Sequence, residues 1–204
     1  MKFSEIKDAI TDLQRGRFIV IIDDENRENE ADLVIAAEKA TPSRVNFMIK
    51  NAGGLICVPM LKERLEELNI PLMIPDSENT EITKCKFTIS VDFKPGTTTG
   101  ISAGDRSATI RSLADPDTKA EEFARPGHIF PLKYTEGGVL KREGHTEAAI
   151  DMCKLAELGP VGVLCEILKE DGSTLKTEDL EEYASKHDLK IISIEELIKY
   201  RKNI

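Results

Sequence analysis

The sequence predicts one domain of mixed α/β or α+β class, with strands and helices interspersed along the chain. Three observations carry that reading. Apolar runs of strand length, such as Phe18-Ile19-Val20-Ile21-Ile22, are separated by stretches whose apolar residues recur at helical spacing. No internal repeat, low-complexity segment or linker divides the chain. Its 204 residues, 40% hydrophobic and 32% charged, suffice for one large core.

The first helix is expected from about Ser4 to Arg15. Ile6, Ala9, Ile10 and Leu13 form its apolar stripe, and Gly16 supplies a stop. Strands follow at Phe18 to Ile22 and Leu33 to Ala37. Thr41 then caps a helix that has Pro42 at its first position, Val45, Met48, Ile49 and Ala52 inward, and Gly53 at its end. Leu55 to Val58 reads as a buried strand and Leu61 to Leu68 as a short helix. Cys85 to Asp92 alternates with period two, the pattern of a half-exposed strand. A Thr- and Gly-rich loop runs from Pro95 to Gly104, before a helix at Ala108 to Leu113 and a strand at Ile129 to Tyr134.

Thr146 to Leu158 reads as a helix capped by Thr146, with Ala149, Ile150, Cys153 and Ala156 inward and Gly159-Pro160 as the stop. Val161 to Leu168 is a strand, and Asp171-Gly172 a turn. A helix near Glu178 to Lys186, a strand at Lys190 to Ser193 and a last helix complete the chain. Ser193 and Glu196 form a capping box for that last helix.

A formal charge of -9 argues against a generic nucleic-acid or anionic-membrane surface. No apolar stretch reaches membrane-spanning length, and Met1 to Glu5 lacks the apolar segment of a secretory signal. Cys57, Cys85, Cys153 and Cys165 include no CxxC pair and sit in apolar or alternating sequence, as reduced cysteines of a cytosolic protein do. The expectations are a cytoplasmic location, no membrane and no nucleic acid.

Chemistry concentrates first in Asp23-Asp24-Glu25-Asn26-Arg27-Glu28-Asn29-Glu30-Ala31-Asp32, set between two apolar runs. Carboxylates this close repel unless a cation, an arginine or a proton relieves them. A solvated acidic turn is one reading, and a metal or polar-substrate loop is the other. Arg142-Glu143-Gly144-His145-Thr146 leads into a helix start, where free N–H groups and an arginine fork favour phosphate, although a plain cap remains open. Glu166 interrupts an apolar strand and is either an edge residue facing solvent or an inward acid or base. His128 and Cys57 stand open between core packing and a site role, and His187 reads as a surface residue. The residues alone point to a divalent cation on the acidic loop and His145, with an anionic ligand near Arg142.

Six ordered segments share a further property. They are the acidic run from Asp23 to Asp32, Ala52-Gly53-Gly54-Leu55-Ile56-Cys57, and Thr98-Thr99-Gly100-Ile101-Ser102. Then come Arg125-Pro126-Gly127-His128-Ile129-Phe130-Pro131-Leu132, Arg142-Glu143-Gly144-His145-Thr146-Glu147-Ala148 and Gly162-Val163-Leu164-Cys165-Glu166. Together they strongly resemble the 3,4-dihydroxy-2-butanone 4-phosphate synthase family of riboflavin biosynthesis, over nearly the whole chain.

The resemblance implies a single domain with a mixed sheet flanked by helices. It implies a Mg2+- or Mn2+-dependent lyase that converts ribulose 5-phosphate into 3,4-dihydroxy-2-butanone 4-phosphate and formate, by metal-stabilised enediolate chemistry with a skeletal rearrangement. Glu28 and His145 would ligate the metal. Arg27, Glu28, Asp32, Arg142, Glu143, Gly144, His145, Thr146 and Glu166 would contact substrate. His128 and Glu166 match essential catalytic positions, Asp32 is a further acid or base, and Cys57 lines the site. A homodimer is implied, with sites at or near its interface. Ala31 stands where many members have Gly, and because Ala disfavours positive φ a shifted loop conformation or altered flexibility is expected, with activity retained because the ligand residues are present.

Overall fold

Strand-forming apolar runs assemble into one mixed sheet in the computed structural model, which describes residues 3–204. The strands are β1 (Ile19–Ile22), β2 (Ala31–Ala36), β3 (Cys57–Met60), β4 (Val91–Phe93), β5 (Phe123–Lys133), β6 (Gly162–Glu166) and β7 (Lys190–Ser193). Their order across the sheet is β4-β5-β3-β6-β2-β1-β7. The β1–β2, β2–β6, β3–β6 and β4–β5 pairs are antiparallel, whereas β1–β7 and β3–β5 are parallel. The helices are α1 (Ile6–Gln14), α2 (Pro42–Asn51), α3 (Lys62–Glu67), α4 (Ala103–Ala114), α5 (His145–Leu155), α6 (Leu180–His187) and α7 (Ile194–Arg201).

Strand alternation sends successive side chains to opposite faces, and each face finds its own helices. Ile19, Ile21, Val34 and Leu164 pack with Leu13 of α1, Ala149 and Met152 of α5 and Leu197 of α7. Val20, Leu33, Ile35 and Val163 pack on the other face with Val45 and Met48 of α2, Ile110 of α4 and Leu180 of α6. Each fully buried Ile or Leu contributes roughly 1.5–3 kcal/mol by leaving water.

A buried polar knot closes the α5 side of the sheet. Asp151, 2% exposed, accepts from Tyr134 Oη at 3.1 Å, Val139 N at 2.9 Å and Arg201 Nη1 at 2.5 Å.

The structure corrects four local expectations. Of the segment from Cys85 to Asp92 only Val91 and Asp92 lie in a regular strand, Val91–Phe93, and residues before it meet the sheet through isolated bridges such as Phe87 with Leu132. The helix expected at Ala108 starts at Ala103, where Ser102 Oγ accepts from Asp105 N at 3.0 Å. The strand expected at Ile129 begins at Phe123 and contains Pro126 and Gly127. The fourth expectation to move is the start of α5. Its cap is Gly144, and Thr146 lies inside the helix without a capping bond. At the last helix, Ser193 Oγ accepts from Glu196 N at 3.1 Å, as expected.

Candidate active site

Residues 23–30 form the connection between β1 and β2, and one buried side chain organises it. Asp23 Oδ1 accepts from Glu30 N at 3.0 Å, while Oδ2 accepts from Glu28 N at 3.2 Å and Arg27 Nη1 at 2.7 Å. Arg27 Nη1 also reaches Glu28 Oε2 at 2.6 Å, so one guanidinium joins two carboxylates. Asn29, at φ 50, takes the left-handed position. Ala31 lies in β2 opposite Ile22 and has no positive φ, so the reason for expecting a shifted loop does not apply.

Antiparallel pairing then sets Asp32 of β2 directly opposite Glu166 of β6. Residues opposed in this way share a face, so both carboxyl groups point to the α5 side of the sheet. Glu166 Oε2 accepts from Leu55 N at 2.9 Å. A methyl group on Gly54 would overlap that carboxylate, which explains the glycine there. Cys57 is opposite Leu164, two residues along β6 from Glu166.

The first residue of α5 lies against these acids. His145 is 7% exposed, and its Nε2 lies 3.2 Å from Ile21 O. A carbonyl only accepts, so Nε2 carries the hydrogen and Nδ1 faces Glu28 at 3.7 Å and Asp32 at 4.0 Å. Nearby, Arg142 Nη1 pairs with buried Glu147 at 2.6 Å, and Nη2 donates to Thr83 O at 2.9 Å.

The electrostatics follow from burial and proximity. His145 and then Arg27 hold Glu28 down at about 2, against its own desolvation. Burial alone would lower His145, but Asp32, Glu28 and Asp23 outweigh it and raise the imidazole to about 9. Burial pushes both Asp32 and Glu166 up, and each lies beside further carboxylates. Burial, followed by the Glu166 charge, keeps Cys57 as the neutral thiol.

A cavity of about 230 Å³ collects most of the predicted residues. Asp32, Cys57 and Glu166 line it from the sheet, Arg27 and Glu28 from the β1–β2 connection, and Arg142, His145 and Thr146 from the start of α5 and the residues before it. Glu143, which is exposed, and Gly144 do not line it, although Gly144 is buried against Arg142 and Glu147. His128 is also outside it, with its side chain 43% exposed and bound to Asp92. Sequence reasoning missed Glu81, Thr83, Cys85 and Phe87 as cavity walls. Only the alternation from Cys85 onward signalled an inward face there. A larger cavity of about 530 Å³ borders α2 and α6 and holds none of the predicted site residues. His187, beside it, is half-buried against Phe47 and Tyr183 rather than free at the surface.

Ligand atoms of Asp23, Glu28 and His145 come within 4.8 Å of one another. Asp23 is already occupied by three donors, whereas Glu28 and His145 Nδ1 face the cavity. Their oxygen and nitrogen donors, among a surplus of carboxylates, fit a hard divalent cation.

An acidic, arginine-flanked cavity under a helix start is suited to a small polar anion together with a cation. Residues 7–200 match the family model described as 3,4-dihydroxy-2-butanone 4-phosphate synthase, and the chain belongs to that family of riboflavin biosynthesis. It is 48% identical to the 3,4-dihydroxy-2-butanone 4-phosphate synthase of Agrobacterium fabrum, covering 99% of this chain and 94% of that one. It is 54% identical to the bifunctional riboflavin biosynthesis protein RIBA 1, chloroplastic, of Arabidopsis thaliana, over 98% of this chain and 37% of that protein. The RibBA protein of Endomicrobium trichonymphae is 56% identical and is matched over 49% of its length. The chain thus spans half or less of these two longer relatives. A crystal structure of 3,4-dihydroxy-2-butanone 4-phosphate synthase in complex with two magnesium ions superposes with a TM-score of 0.93 at 40% identity, covering 98% of each chain.

Proposed function

We propose that the chain converts ribulose 5-phosphate into 3,4-dihydroxy-2-butanone 4-phosphate and formate, using Mg2+ or Mn2+. The observation that carries this reading is the stacking of two pairs in one cavity. Glu28 and His145 form a cation-binding pair, and directly beside them Asp32 and Glu166 form an acid–base pair. When bound by Glu28 and His145, the cation supplies Lewis-acid polarisation of neighbouring substrate oxygens. Arg142, Thr146 and the start of α5 supply donors for the phosphate, and Arg27 and Asp32 contact the sugar.

The overall change balances without a co-reactant: one water is lost, one is gained, and C4 leaves as formate. Enolisation, dehydration and rearrangement need several proton transfers, and Asp32 and Glu166 are placed to accept and return protons within the cavity. Cys57, as a thiol, shapes the wall. His128 lies outside the chain's own cavity, which fits a homodimer where it serves the site of a second copy. Among the described residues no helix is long and apolar enough to cross a membrane. The four cysteines are free, which fits the cytoplasm.

The test is formate release from ribulose 5-phosphate by purified protein with Mg2+, abolished by EDTA. Absence of formate under those conditions overturns the assignment. Mixing inactive His128→Ala and Glu28→Gln chains should restore part of the activity if His128 acts on a second copy.

A further inference from the structure

Asp92, outside the cavity and in none of the six motifs, holds His128 at two points. Its Oδ1 accepts from His128 N at 2.8 Å, and its Oδ2 lies 2.6 Å from His128 Nδ1. Asp92 is mostly buried, with its side chain 13% exposed, while the imidazole is 43% exposed. The ring is therefore anchored on its protein side and open on the other. Among the described residues Nε2 has no partner.

The surrounding backbone is shaped to make this contact. The β4–β5 ladder shifts register between Val91 and Asp92, so that Val91 pairs with Ile129 but Asp92 with Ala124. That irregularity brings Asp92 beside the residue that precedes Ile129. A methyl group on Gly127 would run into the Val91 carbonyl carbon and the Asp92 nitrogen. Gly100, at φ 94, passes so close that a methyl group there would overlap Asp92 Oδ2 and His128 Nδ1. Its loop is tied down in turn, because Asp105 accepts from Thr98 N at 3.1 Å and Gly100 N at 3.2 Å.

We propose that Asp92 is a positioning residue for His128, holding its Nδ1–H tautomer and aiming a bare Nε2 outward as a proton acceptor. A carboxylate offers only acceptors, so the ring nitrogen facing it is the one that carries hydrogen. The second bond, to the backbone N–H of the same residue, fixes the carboxylate and so the plane of the ring. The inference rests on the reading that His128 takes part in the formate-releasing reaction.

The experiment combines steady-state formate release with 15N NMR of the His128 ring, on the wild-type full chain and on Asp92→Asn and Asp92→Glu. The ring spectrum of the wild type should show the Nδ1–H tautomer, and Asp92→Asn should shift it toward Nε2–H. In Asp92→Asn, kcat should fall about 100-fold with KM within about threefold, and Asp92→Glu should recover part of the loss. A wild-type ring in the Nε2–H form, or Asp92→Asn with an altered ring and unchanged kcat, overturns the positioning role. His128→Ala with full activity overturns instead the reading on which it rests. The wild-type spectrum decides the tautomer even if both variants fail to fold.

Discussion

Asp32, buried, and Glu166, partly buried, face each other across the β2–β6 ladder, and among the described residues neither pairs with an arginine. Like charges so placed destabilise the empty site unless a proton or cation intervenes. Asp32→Asn should therefore raise the stability of the metal-free protein, by roughly 1 kcal/mol, while lowering kcat by about 100-fold or more. Thermal denaturation and formate release on the same preparation check this, and a less stable variant contradicts it.

His145 is raised to about 9 in the metal-free chain, so a cation must displace its proton. Cation affinity should then rise about tenfold per pH unit between roughly pH 6.5 and 8.5 and level off above 9. Calorimetric titration with Mn2+ across that range reads the slope. A flat profile would show that His145 is not a ligand. The sign for folding is opposite: with a folded value above the unfolded one, His145 stabilises the metal-free chain below about 6.5, and that contribution is lost as pH climbs through 9.

Asp23 satisfies two backbone N–H groups and Arg27 from a buried position. Asp23→Ala should cost about 1–3 kcal/mol, because those donors lose their partner. It should also weaken Mn2+ binding through the displaced Glu28. Retained affinity in a destabilised variant would separate the loop scaffold from the ligand pair.

Gly144 has no room for a side chain beside Arg142 Nη1 and Glu147 Oε2. Gly144→Ala should push Arg142 off its seat and raise KM for ribulose 5-phosphate roughly tenfold, with less effect on kcat. An unchanged KM would remove Arg142 from phosphate binding.

Much of this architecture was legible from local pattern. Apolar runs such as Phe18 to Ile22 and stripes such as Ile6, Ala9 and Leu13 encode strand and helix directly, and α1 and β1 lie where they indicate. The acidic run, Arg142 and His145 declared themselves by density of charge next to apolar flanks. The division of labour inside the run was harder to read, since Asp23 differs from Asp24 only in being buried. Whether Glu166 faced inward could not be decided from a single strand, because its face is set by its partner Asp32, over a hundred residues away in sequence. The walls at Glu81 and Thr83 belong to an irregular segment with no period to detect. Asp92 was hidden for a similar reason, because a register shift between strands leaves no trace in either strand's own residues.

The knot at Asp151 imposes an order on biosynthesis. Its guanidinium partner lies 50 residues downstream, in the last turn of α7. A chain emerging from the ribosome must expose the buried carboxylate of α5 well before Arg201 is available to neutralise it. Tyr134 and Val139 can reach that carboxylate earlier, but its charge waits for the final helix, so chains released at residue 200 should be more sensitive to protease than full-length chains.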